Sequence, residues 1–331
     1  MKKAICLILS GCLLGGMLSG CKKAENLETK KIVVSEVTHS IFYAAQYVAI
    51  NNGYFKDEGL EVELVNAGGA DKVMTSVLTG AADIGLAGAE ACVYVYLGGK
   101  ADYPKVFAQL TKCDGSFLVG RKAVESFEWQ SLKGSTILPG RKGGMPYMTL
   151  LYALNQNGLE VGKDVFFNDT IQFSAMTGAF ISGEGDYVTV FEPSATDLEA
   201  QGKGHILASV GKAGGEVPYT AYFAPQGYDK DTLQRFTNAI AKGQQYVESH
   251  TAAEIAKVIQ PSFVETQVKV IETVVQRYKD IGAYSHSPEM TKEAFDRIIE
   301  IIKNAKEIDS SAQVEYEKLI DNSYAEKAAD R

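Results

Sequence analysis

Cysteine and histidine are scarce in this chain, and neither is spaced for metal or redox chemistry. Of five cysteines in 331 residues, Cys6, Cys12 and Cys21 crowd into the first 21 positions. No Cys-x-x-Cys or His-Glu-x-x-His occurs, and His39, His205, His250 and His286 are scattered, so zinc-type and dithiol-type sites find no signature. The Gly-Lys-Ser/Thr ending of a nucleotide-binding loop is missing too. Positive charge is in deficit. The formal net charge is −8, or −10 without Lys2 and Lys3. No basic stripe exists, which argues against nucleic acid as a partner. An acidic body is also repelled by an anionic leaflet.

What the chain does have begins at residue 1. Lys2 and Lys3 precede an apolar stretch, Ala4 to Leu18, that is broken by Ser10 and glycines and is too short to be a good membrane span. It ends in Leu18-Ser19-Gly20-Cys21, which resembles the bacterial lipobox. The expectation is a signal peptide over 1–20, lipidation at Cys21 and a polar tether over 21–30. Two or more acyl chains anchor stably where one is marginal. The protein is then exported and held at the outer face of the cytoplasmic membrane. An ordinary signal peptide followed by a chance cysteine is the alternative. Cys92 and Cys113 remain, either as a disulfide in an oxidising compartment or as two small buried residues without chemistry.

The mature chain is long enough for two globular domains. From Ile32 its pattern alternates between strand and helix periods. Strands are expected at Ile32–Val37, Leu60–Val65, Asp83–Ala87 and Val106–Thr111, with helices at Ile41–Asn52, Asp71–Leu78 and Ala91–Leu97. A second run follows Ser116: strands at Phe117–Val119, Thr136–Leu138 and Tyr187–Phe191, extended pieces at Val165–Phe167 and Ile171–Phe173, helices at Met145–Asn155, Ala175–Ile181 and Ala195–Gln201, and a strand at Ile206–Ser209. Residues 230–328 read as almost all helix, with Asp231, Thr251 and Thr291 as N-caps. The βαβα order implies mostly parallel sheets flanked by helices.

One internal echo stands out. Leu78-Thr79-Gly80-Ala81-Ala82-Asp83-Ile84 and Ile181-Ser182-Gly183-Glu184-Gly185-Asp186-Tyr187 share a pattern at an offset of 103, each after a helix opening near Met-Thr (Met74-Thr75, Met176-Thr177). Asn52-Gly53 and Asn157-Gly158 each end a helix before a strand. Two α/β lobes on one plan account for this. Gly-rich, polar connections near 111–117 and 209–219 are candidates for two crossings that make a hinge.

Several phrases carry a family resemblance: Val37-Thr38-His39-Ser40-Ile41-Phe42-Tyr43, Gly53-Tyr54-Phe55-Lys56-Asp57-Glu58-Gly59-Leu60, Gly80-Ala81-Ala82-Asp83-Ile84-Gly85 and Phe191-Glu192-Pro193. The chain resembles, over residues 32–300, the substrate-binding proteins of ABC importers that take up nitrate, sulfonates, taurine and thiamine-precursor pyrimidines (the NitT/TauT type). The resemblance implies an α/β, two-lobed periplasmic-binding-protein-like fold of type II. Each lobe is a mostly parallel sheet flanked by helices, with a two-stranded hinge and a helical C-terminal region. Lobe 1 would take 31–113 and 217–331, and lobe 2 would take 114–216. The implied partners are a small solute and a permease with its ATPase. A monomer is implied, with no cofactor and no catalysis.

Ligands of open α/β sheets bind beyond the carboxyl ends of the strands. That rule selects His39, Phe42 and Tyr43 after the first strand, with inward packing of Phe42 as the alternative. It selects Gly69 and Ala70 at a helix start, where Asp71 could equally be a plain cap, then Gly88 and Glu90. From the second lobe it selects Arg141, Gly143, Gly144 and Met145 in a glycine-rich turn, and Glu192. For Arg141 and Lys142 the alternative is a plain solvated position. Asp114 and Tyr219 lie near the expected hinge and within reach of the cleft, and Gln109 lies inside the last strand of the first lobe. Carboxylates beside aromatic rings suit a flat nitrogen heterocycle with exocyclic amino groups, such as a thiamine-precursor pyrimidine, better than a sulfonate, taurine or nitrate. A pyrimidine-synthase-like enzyme shares this fold but would need a cysteine cluster that is missing. A ligand sensor is the remaining alternative, and solute uptake after deletion separates it from a transporter.

Overall fold

The computed structural model describes residues 29–329. The expected signal peptide, lipidated Cys21 and most of the tether lie outside the described residues. Ten strands are present among those described: β1 (Lys30–Glu36), β2 (Leu60–Asn66), β3 (Ile84–Ala87), β4 (Lys105–Thr111), β5 (Phe117–Gly120), β6 (Thr136–Leu138), β7 (Phe166–Phe167), β8 (Tyr187–Val190), β9 (His205–Ser209) and β10 (Thr220–Ala224). They form two five-stranded sheets of order β2-β1-β3-β10-β4 and β7-β6-β8-β5-β9. In each sheet four strands run one way, and the fourth position holds a strand running against them. That antiparallel strand is the one delivered by a crossing from the other half: β5 on the way out, β10 on the way back.

The echo has a structural cause. Asp83 Oδ2 accepts from Val33 N at 2.8 Å, while Asp83 N donates to Val33 O at 2.9 Å. Asp186 Oδ2 accepts from Thr136 N at 2.8 Å, and Asp186 N donates to Thr136 O at 2.8 Å. Both members of both pairs are related by the offset of 103. Each aspartate thus fixes the register between a central strand and its parallel neighbour. Gly80 and Gly183 precede them with φ of 74° and 108°, a region that side chains rarely adopt.

The chain crosses between halves over 112–116 and 210–219. The two crossings pair: Val217 N donates to Lys112 O at 3.0 Å and Tyr219 N to Thr111 O at 3.2 Å. The second crossing contains a short helix, Val210–Gly214, started by Ser209. The C-terminal helices gather mainly on the first sheet. Lys230–Ser249 lies on Ala44–Asn51, and a Cβ at Gly243 would stand 2.2 Å from Ala45 O, so only glycine permits this approach. Helix Val268–Asp280 is tied to the same half through Lys279 Nζ, which donates to Val247 O and His250 O.

Two local expectations are corrected. Helix Lys230–Ser249 is capped by Asp229, which accepts from Asp231 N, rather than by Asp231. Thr251 and Thr291 do cap their helices. Residues 171–173 are not extended, because Asn168 Oδ1 binds the Thr170 N–H and hydroxyl and turns the chain into the 3-10 turn Phe173–Ala175. Strand β10 was not anticipated at all. No helix among the described residues is long and apolar enough to cross a membrane.

Candidate functional site

The site is assembled where the carboxyl ends of β3 and β8 face the two crossings. After β1, Ser40 Oγ accepts from Phe42 N at 3.2 Å and opens the 3-10 turn Ile41–Tyr43. This turn buries Phe42 and Tyr43. The Phe42 ring meets Tyr278 at 4.9 Å, Tyr219 at 5.7 Å, Tyr43 at 5.8 Å and Phe191 at 6.0 Å between centroids. Phe191 comes from the second half, so aromatic faces of both halves close on one another in edge-on and tilted geometry. Gly115 is required beneath them, since a Cβ there would lie 2.7 Å from the Phe42 ring.

Two carboxylates are buried beside this cluster. Glu90 opens helix Glu90–Leu97 and curls back over Gly88, where a Cβ would stand 1.9 Å from Glu90 Oε2. Burial pushes the Glu90 pKa up to about 7 against the opposing pull of its own backbone N–H and of Arg141. Asp114 sits on the first crossing, where Oδ1 accepts from Ser116 N at 2.6 Å. Burial raises its pKa too, against the hydroxyls of Ser116, Tyr219 and Thr149. Glu90 Oε2, Asp114 Oδ2, Ser116 Oγ and Thr149 Oγ1 are all buried without a hydrogen bond of full geometry. The Tyr219 phenol is raised by burial and then by Asp114, Glu90 and Tyr43, which places both carboxylates and both phenols in one locus. Thr149 and Ser116 carry no sequence signal that would have marked them.

The other expected residues lie elsewhere. His39 does not face the aromatic cluster: its Nδ1 is 3.1 Å from Glu36 Oε1, its Nε2 2.7 Å from Ser262 O, and its ring packs on Phe263. Glu36, buried and raised in pKa by desolvation, draws it there together with Gln46 and Tyr47. Gln109 is buried in β4 and donates to Thr111 O. Glu192 stands two residues beyond the end of β8, but both its oxygens are taken. Oε1 accepts from Arg277 at 2.8 Å and Oε2 from Thr196 N at 2.9 Å. Arg277, from the helix on the first half, also binds Thr196 and Glu199, so it spans the halves. Only the later fold reveals this partner, 85 positions away. Gly69 and Ala70 start a helix whose Asp71 pairs with Arg141 at 3.7 Å, both exposed. Gly143 turns with φ 76° near Glu307, Gly144 caps Met145–Gln156, and Met145 is buried. Cys92 and Cys113 are both free and buried, as the second of the two sequence readings had it.

Two halves of one plan, joined by two paired crossings, define the periplasmic-binding-protein fold. Solved structures of that fold match over most of the chain. The alkanesulfonate-binding protein SsuA of Xanthomonas axonopodis pv. citri superposes with a TM-score of 0.69 at 14% identity, covering 89% of this chain and 99% of its own. The periplasmic nitrate-binding protein NrtA of Synechocystis PCC 6803 gives 0.68 at 14% identity, covering 92% and 89%. Among curated proteins, YtlA of Bacillus subtilis (strain 168), provisionally named a binding protein, is 44% identical over 313 residues, 94% of this chain and 92% of that one. The family model described as NMT1/THI5 like matches residues 41–253, and the chain belongs to that family.

Proposed function

We propose that the protein is the extracytoplasmic solute-binding component of an ABC importer. It holds one small organic solute between lobe 1 (31–113 with 217–331) and lobe 2 (114–216) and hands it to a permease and ATPase pair. It acts as a non-catalytic monomer, exported and anchored through lipidated Cys21. The names of the structural neighbours, which bind alkanesulfonate and nitrate, support a transport role. The observation that carries the ligand reading is the pair Glu90 and Asp114, buried among aromatic rings with Glu90 Oε2 and Asp114 Oδ2 short of a hydrogen bond of full geometry. Burying a carboxylate oxygen without a partner is costly, so the solute supplies the missing donors. Sulfonate and nitrate are acceptors only and would be repelled. A flat nitrogen heterocycle bearing exocyclic amino groups, such as a thiamine-precursor pyrimidine, donates to the carboxylates and lies against Phe42, Tyr43, Phe191 and Tyr219. Of the residues expected from sequence, this reading retains Phe42, Tyr43, Gly88, Glu90, Asp114 and Tyr219, and adds Ser116, Thr149 and Phe191.

A thermal-shift panel tests the ligand class, because a solute that binds only the folded state raises the melting temperature. Stabilisation by aminopyrimidines is expected. Stabilisation by taurine or nitrate, with none by aminopyrimidines, would overturn the ligand reading. Loss of uptake of the bound solute on deletion tests the transport role, and unchanged uptake would favour a sensor.

A further inference from the structure

We infer that the solute is bound as a cation, a small aromatic or heterocyclic amine or amidine whose positive charge is neutralised by Glu90 and Asp114 together. This deepens the receptor reading above and rests on it.

The charge balance of the site is the first ground. Glu90 and Asp114 are both buried; Glu90 Oε2 has no hydrogen bond of full geometry, and Asp114 Oδ2 meets only the loosely placed neutral hydroxyls of Ser116, Tyr219 and Thr149. Further out stand Lys112, Lys212 and Glu216, which act on Cys113, and Glu307, which acts on Tyr94; the groups facing the two acids themselves are Tyr43 from the turn after β1, Cys92 and Tyr94 from the helix that Glu90 opens, Tyr219 from the second crossing, Ser116 from the first, Thr149 from helix Met145–Gln156, and Arg141 from the turn before it. Of these facing groups all but Arg141 are neutral near pH 7, since burial raises those thiol and phenol groups further. Arg141 is exposed and shared with Asp71 at 3.7 Å. The second candidate counter-ion, Arg277, is held by Glu192 and Glu199. Two buried acids thus face less than one protein cation; burial keeps them inclined to hold their protons, and a bound cation is what would let them ionise.

The second ground is the shape of the surroundings. No group of three or more His, Cys, Asp or Glu side chains that could hold a metal ion occurs among the described residues. Hard metal ions take six or more oxygen ligands. Four aromatic rings instead border the acids, and an organic cation gains from both: ring faces attract it, and a carboxylate accepts two parallel N–H bonds from a planar amidinium edge. Ser116 Oγ and Thr149 Oγ1, whose hydroxyls turn toward Asp114, keep lone pairs free as further acceptors for such a donor-rich solute.

The sign of the pH dependence follows. Burial holds Glu90 protonated up to about pH 7, so affinity for a permanently charged solute rises as pH climbs through that region and levels off above it.

The test is a stabilisation screen with matched sets: aromatic and heterocyclic amines and amidines, their neutral amide or carbinol isosteres, and their carboxylate or sulfonate analogues. Hits are titrated by calorimetry on the wild type, Glu90→Gln and Asp114→Asn. The expected result is binding of cationic members only, at least tenfold weaker in each variant, with the wild-type affinity rising between pH 6 and pH 8. Glutamine mimics protonated Glu90. Equal affinity of Glu90→Gln and wild type at pH 8, or hits confined to neutral or anionic members, would overturn the inference and leave the receptor reading standing. Failure of every member would count against the receptor reading itself. A ligand-free measurement guards against misfolding of the variants: Glu90→Gln should melt higher than the wild type at pH 8, and a lower melting temperature would refute the uncompensated charge.

Discussion

Replacing Glu90 by glutamine should make the ligand-free protein more stable above neutral pH and change the slope of stability with pH. Glu90 titrates near 4.5 when unfolded and is pushed up to about 7 by burial in the folded protein. Between those two values the unfolded chain gives up a proton that the folded chain keeps. A raised acid therefore contributes stability in full below 4.5, and this is lost as pH rises through 7. The span is worth up to ~3 kcal/mol at 1.36 kcal/mol for each pH unit. Glutamine has nearly the same shape, keeps the contact with Gly88 and cannot ionise. The measurement is urea unfolding of the wild type and Glu90→Gln across pH 4.5 to 8.5, without added solute. The difference between the two should widen in favour of the variant by ~2–3 kcal/mol over that range. Asp114 titrates in both proteins and cancels from the difference. Parallel curves would refute the reasoning, because they would mean that Glu90 ionises in the fold as easily as in water.

Four further outcomes are expected. Arg277→Ala removes the bonds to Glu192, Thr196 and Glu199 that cross between the halves. Solute affinity should fall by ~2–4 kcal/mol, with small-angle scattering showing an expanded particle at a solute level that compacts the wild type. Gly115→Ala forces a Cβ to within 2.7 Å of the Phe42 ring and should cost about 1–3 kcal/mol in unfolding experiments, with weaker solute binding. Cys92 and Cys113 are free and buried, so alkylation should label neither in the folded protein and both in urea, with no effect of reductant. Cys21→Ala should move the protein from the membrane fraction to the soluble fraction, and unchanged partitioning would refute lipidation.

How much of this was legible in the sequence depended on distance along the chain. The strands and helices of both lobes stand close to the expected positions because their periodicity is local. The echo at an offset of 103 was legible for the same reason, and the backbone bonds of Asp83 and Asp186 show why an aspartate is needed there. Strand β10 escaped because it is buried on both faces and so has no alternation, and Pro218 and Pro225 flank it like loop signals. In the site, Glu90, Asp114, Tyr43 and Tyr219 could be chosen from the carboxyl ends of strands and the crossings. His39 and Glu192 were also chosen on position, but their partners decide otherwise. Buried Glu36 claims the imidazole, and Arg277, from a helix far along the chain, claims the carboxylate. Thr149 and Ser116 are ordinary hydroxyls until folding removes their water.

The place of β10 has a consequence for synthesis. In its sheet β4 has one neighbour, and that neighbour is β10. Once the ribosome has passed Ser209 the inserted half holds all five of its own strands, whereas β4 still waits as an unclosed edge until Thr220–Ala224 is made. The half that begins first is therefore the half that finishes last, and a truncated product ending before Thr220 would expose β3 and β4 as sticky ends.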